Sequence, residues 1–227
     1  MDAAEYLQQL GREGRRFAES ARETAYDVSV PTCPGFHVGD LIWHLAVVHG
    51  FWAAVVSYEL RAPDEVQQPN RPPAADLVGF YEDGFKRLVT TLTDKDPSVA
   101  VWTPAPPNDV GFVLRRVTHE TTVHRFDLDL VALGEPRPVD AVLAEDGIDE
   151  WVKVILQSRP EERIDLVVDE TGRSWALGDG PEPKAVLRGT AMAIFLAVWR
   201  RVPIQRLRIE GREAIVVQFI EEARLLG

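Results

Sequence analysis

The segment Gly134-Glu135-Pro136-Arg137-Pro138 constrains the fold of this 227-residue chain more than any other stretch. Glycine readily ends a helix, and the two prolines cannot continue one and stiffen the chain beyond it. The break predicts two domains, 1–134 and 139–227.

Upstream of the break, apolar residues recur at helical spacing. Residues 2–24 carry Tyr6, Leu7, Leu10, Phe17 and Ala21 on one stripe. After the turn Pro31-Thr32-Cys33-Pro34-Gly35-Phe36, residues 38–60 carry Val38, Leu41, Ile42, Leu45, Val48, Trp52, Val55 and Val56. A proline-rich loop, 63–73, leads to a third helix over 74–93 with Leu77, Phe80, Tyr81, Phe85, Leu88 and Leu92. The loop 94–111, broken by Pro97, Pro104, Pro106 and Pro107, precedes a fourth helix over 113–132. Four helices joined by loops predict a four-helix bundle, whose core is a usual place for metal sites built from facing helices.

Downstream the pattern changes to an α+β module. It reads as a helix over 139–156, a strand over 164–168, a hairpin turn at 169–173 and a partner strand from Trp175. A third strand over 185–187 and a helix over 190–199 come next. Further β pieces are expected at 207–209 and 214–217, with a closing helix over 218–226.

Composition excludes several function classes. A net charge of −11, from 25 basic and 36 acidic residues, argues against a nucleic-acid or anionic-membrane partner. No apolar run of about 18 residues is read as a bilayer span, and residues 1–16 lack a signal-peptide core. The single cysteine, Cys33, leaves no internal disulfide and fits a reducing cytoplasm. A small-molecule partner remains.

The chemistry is concentrated in His119-Glu120-Thr121-Thr122-Val123-His124. Glu120 and His124 are four apart, about 40° round a helix, so both can grip one ion. His119 and His124 are five apart, about 140°, and cannot share an inward site. The zincin motif needs histidines at i and i+4, so this is not a zincin. A third ligand is sought in the second helix, where His44 and His49 are also five apart, and periodicity does not choose between them. Asp127, three after His124, sits where it could orient a ligand imidazole or form a surface ion pair. Asp129 is read as a surface residue. Arg116 and Arg125 are read as pairing with neighbouring acids, the alternative being that they steady an anionic substrate, and Cys33 as packing its loop.

Three stretches resemble the mycothiol-dependent maleylpyruvate isomerase family, a branch of the DinB-like metal-binding bundles. They are Cys33-Pro34-Gly35-Phe36 with Asp40-Leu41 and His44-Leu45; Arg116 through His119-Glu120 and Val123-His124-Arg125-Phe126-Asp127; and Gly189-Thr190 with Trp199-Arg200-Arg201. Phe36 stands where the family more often has Trp. The resemblance implies a DinB-like four-helix bundle followed by a small, sterol-carrier-like α+β domain. It implies a divalent metal, zinc first and nickel second, held by His44, Glu120 and His124. It also implies mycothiol as co-substrate and a C-terminal arginine, Arg200 or Arg201, facing the substrate. Three protein ligands with an open position describe a catalytic rather than a structural zinc. The expected function is that of a cytoplasmic enzyme using the thiol as nucleophile, an isomerase or thiol S-transferase on a small electrophile. The competing expectations are a non-catalytic small-molecule or lipid-binding protein with a vestigial metal site, and a hydrolase using metal-activated water.

Overall fold

The computed structural model describes residues 1–58, 67 and 69–226, so residues 63–66 and 68 of the expected 63–73 loop lie outside the described residues. The chain divides into two compact units, Met1–Arg137 and Pro138–Gly227. Among the described residues there are seven α-helices and one four-stranded sheet.

The first unit is four helices: α1 (Ala3–Glu23), α2 (Val38–Tyr58), α3 (Leu77–Thr93) and α4 (Val110–Leu133). α1 starts at a capping box in which Asp2 accepts from the Glu5 amide at 2.9 Å and Glu5 accepts from the Asp2 amide at 2.6 Å. α4 starts at Val110, three residues before its expected start, because Asp109 accepts from the Phe112 amide at 2.8 Å and caps the first turn. It ends at Gly134, whose positive φ of 73° lets the chain turn away. α1 packs on α4 and α2 on α3, with α1–α3 and a sparser α2–α4 pairing closing the bundle. Leu10, Phe17, Leu41, Leu45, Tyr81, Leu88 and Val113 are fully buried between them.

α2 corrects one expectation. Within it, the 20-residue stretch Val38–Ser57, with a hydropathy of 1.4, is long and apolar enough by length and composition to cross a membrane. Half of that stretch is buried within the unit. Its two histidines and single acid are too few to lower the average.

Asp129 also departs from the sequence reading, being wholly buried rather than on the surface. It accepts from Ser20 Oγ at 2.7 Å and from the Arg137 guanidinium at 2.7 Å. Arg125, equally buried, donates from Nε to Glu13 at 2.6 Å and from a terminal nitrogen to Asp129 at 3.1 Å. Arg137 falls in the stretch read as a linker, yet it also donates to Glu19 and to the Arg16 carbonyl. A buried charge is tolerable only when paired. This network ties the chain just beyond α4 back onto α1.

The second unit holds α5 (Ala141–Glu150), continued by a π-helical turn over Trp151–Ile155, then β1 (Ile164–Val168), β2 (Ser174–Leu177) and β3 (Ala185–Gly189). α6 (Ala191–Val198), β4 (Arg208–Gly211) and α7 (Glu213–Glu222) complete it. The sheet order is β2-β1-β3-β4, with β1 parallel to β3 and both outer pairings antiparallel. Ile164, Leu166 and Val168 alternate inward as a strand with one buried face requires. The expected strand at 214–217 is instead the first half of α7. Its β-branched run favours a strand, but Val216 and Ile220, four apart, are the residues it buries, and that packing is helical.

Replacing Glu13 with alanine strips the principal partner from a buried guanidinium. Urea unfolding of Glu13→Ala is expected to show a loss of about 3–5 kcal/mol, whereas a loss of under about 1 kcal/mol would match a surface pair.

Candidate metal centre

α2 contributes His44 and α4 contributes Glu120 and His124, and their ligand atoms all lie within 4.8 Å of one another. His44 Nε2 is 3.6 Å from Glu120 Oε1. The two imidazoles meet edge to face, 4.9 Å between ring centres. The spacing on α4 does this work: Glu120 and His124, one turn apart, present one face to α2. Tetrahedral zinc with bonds of ~2.0–2.1 Å needs donors ~3.3 Å apart, a small contraction from this arrangement.

The surroundings prepare each donor. His124 Nδ1 lies 3.0 Å from Asp127 Oδ2, and Asp127 is wholly buried. A neutral imidazole donating from Nδ1 to that carboxylate keeps Nε2 as its lone-pair nitrogen. Cys33 Sγ donates to the same Asp127 oxygen at 3.2 Å. Phe36 packs edge-on to His44 with ring centres 5.9 Å apart. Arg116 Nε lies 3.7 Å from Glu120 Oε2. Burial alone would raise the Glu120 pKa, but the adjoining His44 imidazole, then Arg116 and His124, bring it down to about 2. The carboxylate is an anion at neutral pH. The His44 side chain is 37% exposed, so a small molecule reaches the group from solvent.

The other histidines on these helices face elsewhere. His119 is buried edge-on to Tyr6. His49 is fully buried, with Nε2 2.9 Å from Thr121 Oγ1 and its ring against Tyr81 and Phe85. In the second unit, Arg200 adopts a left-handed φ of 60° and donates to the Ile220 and Ala223 carbonyls at 2.8 and 2.7 Å, binding the end of α7. Arg201 donates to the Trp199 carbonyl at 2.8 Å. Sequence reasoning missed the Cys33–Asp127 contact and the His49–Thr121 pair. Two polar residues on otherwise apolar faces of α2 and α4 were the available signal for the second.

The model of the mycothiol maleylpyruvate isomerase N-terminal domain matches residues 7–129. The chain belongs to this family. The MDMPI C-terminal domain matches residues 142–216. A crystal structure of the mycothiol-dependent maleylpyruvate isomerase shares the fold at a TM-score of 0.67 and 14% identity, over 86% of this chain and 88% of that one. A histidine-to-alanine variant of that isomerase aligns at a TM-score of 0.65 with the same identity and coverage. No curated protein matches the chain.

Burial drives the His49 pKa down to about 3, with Glu120 opposing and His124 and His44 assisting. Below about pH 6.5 the unfolded chain binds a proton that the folded one refuses, so stability falls as pH drops from about 6.5 towards 3. Urea unfolding across that range should show His49→Phe with a shallower pH slope than wild type. Parallel slopes would mean that His49 is not held neutral.

Proposed function

We propose that the chain is a divalent-metal enzyme that uses a low-molecular-weight thiol, mycothiol, as nucleophile towards a small electrophile, either as an isomerase or as a thiol S-transferase. The observation that carries this reading is the convergence of His44, Glu120 and His124 from two helices. Family membership supports the choice of thiol.

The donor set fits zinc: two imidazoles and one ionised carboxylate, with a position left open. Such an ion supplies Lewis acidity that favours the thiolate form of a coordinating thiol. The chain's own residues then do the rest. Asp127 keeps the His124 ring turned with Nε2 towards the group. Glu120 supplies the one negative charge, so the ligands offset only half of a divalent charge and leave the site attractive to one incoming thiolate. Arg116, beside Glu120, adds positive charge to that surface. The exposed edge of His44 admits the substrate. The thiolate sulfur adds to an activated double bond, the resulting single bond rotates, and expulsion of the same sulfur restores the double bond in the other configuration. A transferase differs in that the new carbon–sulfur bond is kept and the carbanion left by addition takes a proton from water instead of expelling the sulfur. Maleylpyruvate is the first substrate to try.

Elemental analysis of protein purified without a metal-affinity tag is expected to give about one zinc or nickel per chain, lost in His44→Ala, Glu120→Ala and His124→Ala. Asp127→Ala should keep the site but bind metal about 10–100-fold more weakly. Turnover should require added thiol. Wild type that takes up no zinc or nickel on reconstitution would end the metal reading, and turnover without any thiol would point to activated water.

A further inference from the structure

We infer that His49 and Thr121 are positioning residues for the metal centre, a polar pin that sets the register of α2 against α4 and so the spacing of His44 from Glu120. This rests on the proposed metal site. His49 lies five residues after His44 on α2, and Thr121 is the residue after Glu120 on α4. Both are fully buried, and Nε2 meets Oγ1 at 2.9 Å. The tautomer with its proton on Nε2 donates to Thr121 and leaves Nδ1 as a buried lone pair with no partner among the described residues. The ring is otherwise enclosed by Tyr81 and Phe85.

A half-satisfied polar pair in an apolar seam is a poor way to stabilise a bundle, since two apolar side chains of similar shape would cost no desolvation. Its directionality is what apolar packing lacks. A hydrogen bond tolerates only a few tenths of an ångström of slip, whereas apolar faces slide between registers, and single buried polar residues are known to set register in coiled coils. The α2–α4 seam is the one that needs such a device. These two helices pack more sparsely against each other than either packs on its main neighbour, yet between them they hold the whole donor set.

The test uses full-length protein. The double variant His49→Leu/Thr121→Val removes both polar partners without orphaning either, so it is expected to fold with a melting temperature at or above that of wild type. Its Co(II) and Zn(II) affinity should fall about tenfold or more, with a shifted cobalt d–d band. Thr121→Ser, which keeps the hydroxyl, should bind metal like wild type. A double variant within twofold of wild type and with the same cobalt spectrum would overturn the inference. A second readout is independent of metal: the long-range imidazole ¹H–¹⁵N correlations of His44 and His124 in metal-free protein should move in the double variant and stay in Thr121→Ser. If wild type binds neither metal, the metal reading fails, and these resonances alone decide whether the pin sets the spacing. Should the double variant not fold, Thr121→Val alone is read in the same two ways.

Discussion

A carboxylate half-buried in an apolar helix bundle persists as an anion only where positive charge or hydrogen-bond donors meet it. Glu120 is that carboxylate. His44 from α2, with Arg116 and His124 from its own helix, surround it. The helix period places Arg116, Glu120 and His124 in one row, and Asp127 close to it. What the row lacks is a partner from outside α4, and His44 is that partner. The candidate chemistry of the chain therefore depends on how α2 meets α4.

α4 solves a second buried-charge problem on its opposite side. Arg125 and Asp129, one turn apart, lie about 140° or more round from Glu120 and engage Glu13, Ser20 and Arg137. That network buries Arg125, Glu13 and Asp129 and pairs their charges with one another and with Arg137. The Glu120 group is open to solvent and brings together three donors that all suit a cation. Two clusters of charge on one helix thus have different consequences: one fastens the chain beyond α4 to α1, the other is suited to hold an ion.

Much of this was legible in the sequence because helices repeat on a fixed period. The bundle, the small mixed sheet and the one-turn spacing of Glu120 and His124 all arise from local patterns. The choice of His44 over His49 did not: both lie on apolar faces of α2, so periodicity left them equal and the choice came from the family resemblance, while the fold puts His44 beside Glu120 and His49 beside Thr121. Asp129 was misread because its partners lie about 110 residues earlier, at Ser20, and in a segment that looked like a linker. The stretch over 214–217 was misread because β-branched residues carry a strand preference that helical burial of Val216 and Ile220 outweighs. The likeness to a solved isomerase at 14% identity speaks to fold, and the thiol chemistry rests on family membership together with the donor geometry.

X-ray absorption at the metal edge of the zinc-loaded wild type, recorded with and without mycothiol, tests the central claim most directly. Two imidazole nitrogens and one carboxylate oxygen at ~2.0–2.2 Å are expected without thiol, and one sulfur scatterer at ~2.3 Å should appear on its addition. A first shell without imidazole, or one that stays free of sulfur at saturating thiol, would contradict it.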